Sequence, residues 1–231
     1  MMRHKKTMNF VHIGKCAGTT VWHTLTSRMP SQVAKMNYYH LSPIPHKPHV
    51  KNVITLRNPI TRFVSAFYWR YYLVCESNQQ IDKYNGEAKL LKQYETVENF
   101  VSDLAIKGEM LYKSDIKSGK YIHQCKQDIY FYLKDIYDRN NPNKVEFCIT
   151  QENLQKDMKN FFGLDKVNLQ VHSSKDRVYD KTLSEKSIST LKNILRMDYK
   201  CIDRIHEWGK LTDEQYKLLN QEYKYKKKGQ V

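Results

Sequence analysis

Short apolar runs recur along the chain, and each is followed by a polar loop and then by an amphipathic segment. Runs rich in β-branched and aromatic residues cover residues 9–13, 52–56 and 145–150, and they predict three strands. After each run, apolar residues return every three or four positions, which is typical of helices. Helices are predicted over residues 19–29, 59–70, 97–105, 152–161, 188–195 and 201–208.

Two of the remaining segments have the composition of loops. Residues 38–49 are rich in Tyr, His and Pro and predict no regular element, and residues 78–88 predict a polar loop. Because each predicted strand is almost continuously apolar and precedes a helix, the pattern predicts an α/β fold with a central parallel sheet covered by helices on both faces. No repeat or linker divides the sequence, so we expect a single domain over residues 1–231.

The composition excludes several classes of protein. With 40% hydrophobic and 12% aromatic residues, the chain can build a substantial core. Its five cysteines are far apart, which predicts free thiols and no metal site. The sequence has no apolar run long enough for a membrane span and no apolar core of a signal peptide, so a cytoplasmic protein is expected.

The charge is strongly positive, since 39 Lys and Arg residues against 24 Asp and Glu residues give a net charge of +15. Such a balance indicates an anionic partner. Nucleic acid, an acidic polysaccharide, a phosphorylated cofactor and an anionic membrane surface all fit it.

Two predicted strand-to-helix loops carry residues suited to binding an anion. In a parallel α/β sheet, ligands bind at the carboxyl ends of the strands, where helix N-termini attract negative charge. The first is the glycine-bounded loop, residues 14–18, which contains Lys15, and the second places Arg57 directly after a strand. In the nucleotide-binding P-loop the lysine follows the second glycine, whereas here Lys15 precedes Gly18 by three residues.

These two segments resemble motifs of one enzyme family. Residues 10–20 (FVHIGKCAGTT) resemble the 5′-phosphosulfate-binding loop of sulfotransferases, nearest to the branch of the heparan sulfate 2-O- and 6-O-sulfotransferases, with its pattern H-I-x-K-x-x-G-[TS]-[ST]. Residues 54–67 (ITLRNPITRFVSAF) are similar to the 3′-phosphate motif of that family, L-R-[DN]-P-x-x-R-x-x-S. The resemblance covers residues 9–68 well, while residues 150–154 and 171–175 are only loosely similar to later family blocks.

The resemblance implies a PAPS-dependent O-sulfotransferase, where PAPS is 3′-phosphoadenosine 5′-phosphosulfate and PAP is its desulfated product, with no metal required. Lys15 would stabilise the charge that develops on the bridging oxygen, and Arg57 and Ser65 would hold the 3′-phosphate. The acceptor would be a hydroxyl, expected on a saccharide that could itself be anionic. The residues implied at the 5′-phosphosulfate are Lys15, Cys16, Ala17, Gly18, Thr19 and Thr20.

Sulfuryl transfer also needs a base that takes the proton of the acceptor hydroxyl, and histidine suits this role because its pKa lies near neutrality. In the related polysaccharide enzymes a catalytic histidine lies between the two motifs, where this chain has His40, His46 and His49. His40 is the first choice. Some relatives use a glutamate instead, so that alternative stays open.

Two other classes of function compete with this interpretation. A kinase-like phosphotransferase would need magnesium and an acidic metal ligand at a strand end, for which no convincing candidate appears. A basic nucleic-acid-binding protein fits the charge and the aromatic residues mixed with lysine, but the chain has no recognition motif, and Arg57 and its neighbours stay unexplained. The sulfotransferase hypothesis therefore explains more residues, and nucleic acid is the less favoured partner.

Overall fold

A computed structural model describes residues 6–31, 33–40, 42, 49–84, 86–107, 121–167 and 178–225. The contacts within the chain divide it into two compact units. The first unit comprises Met1–Asn58, Ile129–Asp176 and Asp198–Gln221, and the second comprises Pro59–Asp128, Arg177–Met197 and Glu222–Val231.

The regular elements follow in chain order. They are β1 (Lys6–His12), α1 (Gly18–Ser27), β2 (Val33–His40), β3 (Lys51–Leu56), α2 (Pro59–Tyr71), a π-helical turn (Tyr72–Glu76), α3 (Glu87–Tyr94), α4 (Val97–Lys107), α5 (His123–Lys126), α6 (Ile129–Asp138), a 3₁₀ turn (Pro142–Lys144), β4 (Val145–Thr150), α7 (Leu154–Phe162), α8 (Glu185–Ile194), α9 (Arg196–Glu207) and α10 (Asp213–Leu219).

The first unit is built on a parallel sheet of four strands in the order β2-β1-β3-β4. Buried residues alternate between its two faces along each central strand. On one face Phe10 and Val53 pack in a core with α1 and α7, and on the other face Val11 and Ile54 pack with α6, α9 and α10. The predicted α/β class and the parallel sheet covered on both faces are confirmed. The assignment of residues 1–231 to one domain stays a prediction.

The prediction of a loop over residues 38–49 is wrong at its start, because residues 38–40 form the last part of strand β2. This strand lies at the edge of the sheet and pairs only with β1 among the described strands. Its buried residues are few, with Val33 and Met36 in the core, while several other side chains along it keep contact with solvent. An edge strand with one covered face lacks the continuous apolar run by which the other strands were recognised.

A ladder of asparagine side chains crosses the sheet and fixes its register. Asn37 donates to Asn9 at 3.1 Å, Asn9 donates to Asn52 at 3.0 Å, and Asn52 donates to the carbonyl oxygen of Lys144 at 2.8 Å. Asn9 and Asn52 are buried, so a one-residue slip of any strand would leave amide groups unpaired inside the protein. The ladder therefore aligns the ends of the strands, where the predicted site lies.

The second unit contains α2, α3, α4, α5 and α8, and a buried ion pair ties three of them together. Arg70 on α2 donates from Nε and Nη2 to the carboxylate of Glu87 on α3, at 3.0 and 2.6 Å. The same carboxylate accepts the backbone N–H of His123 at the start of α5, at 2.8 Å. Both side chains are almost fully buried. Removal of one partner would leave an uncompensated charge in the interior.

Acid is expected to destabilise the protein through His123, whose ring stacks on Tyr84 at 3.9 Å. Burial, then the charges of Arg70 and Lys83, lowers the pKa of His123 from 6.5 to about 4. Because the unfolded chain takes up the proton first, stability falls as the pH falls from about 6.5 to about 4. We expect this group to cost about 1–2 kcal/mol across that window.

Urea denaturation of the wild type and of His123→Phe at pH 7.5, 6 and 4.5 measures this contribution. Phenylalanine keeps a ring against Tyr84 and the backbone N–H that binds Glu87, but it cannot titrate. The difference in unfolding free energy between the two proteins should shift in favour of the variant as the pH falls. A difference that is independent of pH would contradict the assignment.

Candidate functional site

The carboxyl ends of the strands gather most of the residues predicted for function. The glycine-bounded loop follows β1, His40 ends β2, and Arg57 follows β3. In the strand pairing His12 lies opposite His40. Since β1 lies between β2 and β3 in the sheet, the loop has His40 on one side and Arg57 on the other, all within the first unit.

The glycine-bounded loop has a strained backbone. Lys15 and Ala17 have φ angles of 67° and 60°, in the left-handed region that costs a residue with a side chain about 1–2 kcal/mol. The N–H of Cys16 donates to the carbonyl oxygen of Ile13 at 3.2 Å, and the Cys16 side chain is buried in the core. Alternation of left-handed residues is typical of backbone nests that bind anions. Because the Cys16 amide is already used, an anion here would bind the neighbouring amides.

Helix α1 begins directly after this loop with its positive end unshielded. Among the described residues no side chain caps its start, and its first turn, which contains Thr19 and Thr20, carries no acidic residue. Thr19 is half-buried and Thr20 is buried. The dipole and the first N–H groups of such a helix favour a negative group.

Gly18 allows α1 to approach the ring of His12. A Cβ atom added at Gly18 would lie 1.9 Å from Cδ2 of that ring, far closer than any real contact. His12 cannot move aside freely, because it is buried and its ring is held by Tyr38 and His40. The second glycine of the motif is therefore required by packing, whatever it binds.

Substitution of Gly18 should destabilise the protein far more than substitution of Gly14. We expect Gly18→Ala to lower the unfolding free energy by about 1–3 kcal/mol, because the new methyl group overpacks a fixed ring. At Gly14 an added Cβ would only touch the hydroxyl of Tyr132 at 3.7 Å, so Gly14→Ala should change stability by less than about 1 kcal/mol. Urea denaturation of both variants makes the comparison, and equal effects would contradict the close approach at Gly18.

Arg57 lies against the glycine-bounded loop. Its Nη1 donates to the carbonyl oxygen of Lys15 at 3.2 Å, and the side chain is half-buried. A guanidinium has five N–H donors, so this bond is compatible with binding of an anion by the same group. The contact joins the cationic residues of the two motifs at one end of the sheet.

His40 is held by the main chain of β1. Its Nδ1 lies 3.0 Å from the carbonyl oxygen of His12, and because a carbonyl only accepts, Nδ1 carries the proton. Nε2 of the neutral ring is then the nitrogen with the lone pair. Burial lowers the pKa of His40, against the opposing effect of its bond to the His12 carbonyl. His40 is therefore neutral at pH 7, as a base must be.

The sequence did not single out the partners of His40. The ring of His12 stacks on that of His40, with centroids 4.0 Å apart and planes 14° apart, and its Nδ1 lies 2.5 Å from the hydroxyl of Tyr38. Tyr38 also packs on Trp22, with ring centroids 4.6 Å apart. The only sequence signal was His12 within the first motif, whose neighbours Tyr38 and His40 lie in the part of β2 that had been predicted as a loop.

Glu152 follows β4, which is the edge strand on the other side of the sheet from β2. Glu152 accepts the backbone N–H of Asn58 at 2.9 Å. Desolvation of its carboxylate raises the pKa of Glu152, and the Asn58 N–H and the charge of Arg57 act against that rise. The Asn58 side chain donates to the carbonyl oxygens of Leu219 and Gln221, at 2.8 and 3.0 Å. Glu152 is thus the glutamate that could compete with His40 as a base.

The predicted roles of Ser65, His46 and His49 stay predictions. Ser65 lies half-buried on α2 in the second unit, and its binding of a 3′-phosphate stays a prediction. The nearby Arg62 is fully buried and donates from Nη2 to the carbonyl oxygens of Gln124 and Gln127. His49 is exposed. His46 and residues 171–175 lie outside the described residues.

The fold and the site define an α/β protein whose parallel strands end at two cationic residues and a pair of histidines. Comparisons of the chain with protein-family models, with curated proteins and with solved structures found no significant match. The sulfotransferase resemblance therefore stays a resemblance of two motifs. In the described part of the chain, no helix is long and apolar enough to cross a membrane, and no group of three His, Cys, Asp or Glu residues could hold a metal ion.

Proposed function

We propose that this chain is a PAPS-dependent O-sulfotransferase that moves a sulfuryl group to a hydroxyl acceptor. The observation that carries the proposal is the meeting of the two motifs, since Arg57 donates to the main chain of Lys15 beside the start of α1. A donor with phosphate groups at both ends needs cations and amide N–H groups close together, as they are where the parallel strands of this sheet end.

The residues present fit such a donor. The glycine-bounded loop has left-handed residues at Lys15 and Ala17 and leads into a helix start without an acidic first turn. PAPS would supply a sulfuryl group attached to a phosphate, which is a good leaving group. Lys15 and the amides that begin α1 would hold the 5′-phosphosulfate, and Arg57 would hold the 3′-phosphate.

Each side chain then has a defined task. Lys15 would neutralise the negative charge that grows on the bridging oxygen of PAPS as the bond between that oxygen and sulfur breaks. His40 accepts the proton of the acceptor hydroxyl at Nε2, because its Nδ1 proton is used by the His12 carbonyl. The net charge of +15 favours an acidic saccharide as the acceptor, because a positive surface attracts a polyanion.

A transfer assay with sulfur-labelled PAPS tests the proposal. We expect label to reach a hydroxyl acceptor, with release of PAP, in the presence of EDTA, and we expect acidic glycans to be better acceptors than neutral sugars or phenols. A parallel assay with labelled ATP and magnesium should give no transfer. Phosphoryl transfer that needs magnesium, or salt-sensitive binding of DNA or RNA without any effect of PAP, would replace the proposal with one of the two competing functions.

A further inference from the structure

His12 makes three contacts that together surround its ring and carbonyl group. Its carbonyl oxygen accepts from Nδ1 of His40 at 3.0 Å, and its ring stacks on the His40 ring with centroids 4.0 Å apart. Its own Nδ1 shares a hydrogen bond of 2.5 Å with the Tyr38 hydroxyl. His12 is only 6% exposed, so these contacts replace contact with water.

The start of α1 blocks the remaining direction of movement. A Cβ atom at Gly18 would lie 1.9, 2.4 and 2.7 Å from Cδ2, Cγ and Nε2 of His12, which means that the backbone of α1 lies directly against the imidazole. The His12 ring is thus packed between Gly18 of the glycine-bounded loop and the His40 ring. A displacement of the loop or of the ring would be passed to His40 through direct contact.

The arrangement has a chemical consequence at His40. A neutral imidazole carries one proton, and the bond to a carbonyl oxygen holds that proton on Nδ1 and leaves the lone pair on Nε2. Rotation of the His40 ring about its χ2 angle would break this bond and exchange the two nitrogens. The His12 ring stacked on its face opposes that rotation. His12 therefore fixes the tautomer as well as the direction of the ring.

We propose that His12 is a positioning residue, which keeps Nε2 of His40 deprotonated and correctly aimed and couples the base to the glycine-bounded loop. This proposal rests on the sulfotransferase function proposed above. His12 itself takes no proton from the acceptor. Tyr38 supports it from the side that faces solvent, since Tyr38 is 39% exposed and its hydroxyl binds the His12 ring.

Nitrogen NMR of histidine-labelled protein tests the proposal without any need for turnover, because the shifts of the two ring nitrogens identify the tautomer. In the wild type we expect His40 to show one tautomer with the proton on Nδ1. In His12→Leu, which removes the ring and keeps the carbonyl, we expect a mixture of tautomers and a turnover lower by about 10- to 100-fold. Affinity for PAP should change less than threefold.

Two further variants keep the test decisive if His12→Leu fails to fold. Tyr38→Phe removes only the hydrogen bond to His12, and His12→Phe keeps an aromatic ring but loses the same bond. We expect both to give the same smaller shift towards mixed tautomers, and their double variant to give no further shift. An unchanged His40 tautomer in every variant that folds would overturn the positioning role.

The two proposals can fail separately. If the wild type transfers no sulfuryl group and binds no PAP, the proposed function fails, while the nitrogen shifts still decide whether His12 sets the His40 tautomer. If transfer is observed but the His12 variants keep wild-type turnover and tautomer, only the positioning role is overturned.

Discussion

Replacement of His40 by asparagine should reduce the rate of sulfuryl transfer by about 10²- to 10⁴-fold and leave the affinity for PAP intact. The Nδ2 of asparagine can still donate to the carbonyl oxygen of His12, so the end of β2 keeps its bond. The asparagine side chain has no basic nitrogen at the position of the His40 Nε2. Single-turnover transfer and calorimetric titration with PAP separate the two effects.

The pH dependence supplies a second readout of the same residue. Because burial lowers the pKa of His40 below 6.5, turnover in the wild type should rise with pH, with an inflection below 6.5, and then level off. That inflection should vanish in His40→Asn. His23→Ala is the matched control, since His23 is exposed on α1. Loss of turnover in His49→Ala or Glu152→Gln, with His40→Asn still active, would move the base to one of those residues.

Replacement of Lys15 by methionine should reduce transfer by about 10²- to 10³-fold, with a much smaller loss of affinity for PAP. The reason is that the charge facing Lys15 grows as the bond between sulfur and the bridging oxygen breaks, so the lysine matters more in the transition state than in the product complex. Methionine keeps most of the length of the side chain and removes the ammonium group, with its charge and its N–H donors. Transfer rates at saturating donor measure the effect.

Lys35→Met is the matched control for Lys15, because Lys35 is exposed on β2 and has no assigned role. It should change neither transfer nor affinity. Wild-type transfer in Lys15→Met would make Lys15 an ordinary surface lysine. An equal loss of transfer and PAP affinity would instead mean that Lys15 binds donor and transition state alike.

The central strands and several boundaries could be predicted because local chemistry decides them. β4 is Val145–Thr150 as predicted, and β3 differs from its prediction by one residue. Pro59 begins α2, where its fixed φ suits a first helical position. Gly163, with a φ of 69°, ends α7, where a left-handed residue is favoured.

Of the missed helices, α6 and α10 carry local signals, since buried residues of α6 recur at helical spacing and Thr212 forms a capping box at the start of α10, whereas α3 depends on tertiary packing. The sequence predicted no helix for α3, α5, α6 or α10, and α3 begins at Glu87, inside the predicted loop 78–88. Glu87 is a polar residue that is buried because Arg70 neutralises it. A pattern of apolar positions cannot reveal such a partner, since the two residues are distant in the sequence.

The site was predictable as far as its motifs extend. Lys15 and Arg57 were recognised from their positions after strands, and the parallel order of the sheet brings them together. The His12 contacts were not predictable, because they require the edge strand β2 to pair in register with β1. The positive φ of Lys15 and Ala17 was equally hidden, because neither residue is a glycine that would have signalled it.

Whether Lys15 and Arg57 bind opposite ends of one donor is tested most directly by titration of two ligands into two proteins. The ligands are PAP and adenosine 5′-phosphate, which lacks the 3′-phosphate, and the proteins are the wild type and Arg57→Ala, all titrated calorimetrically without magnesium. Arg28→Ala, an exposed arginine at the end of α1, is the matched control. The second ligand is needed because Arg57 also supports the carbonyl of Lys15, so its loss could weaken any ligand of the loop.

We expect the wild type to bind PAP with a Kd of about 1–100 μM. Arg57→Ala should lower the affinity for PAP by about 10- to 100-fold, because charge-assisted hydrogen bonds to one phosphate are lost. The affinity for adenosine 5′-phosphate should fall less than threefold. Arg28→Ala should match the wild type with both ligands. Unchanged PAP affinity in Arg57→Ala, or an equal loss for both ligands, would contradict the claim that Lys15 and Arg57 hold opposite ends of one donor.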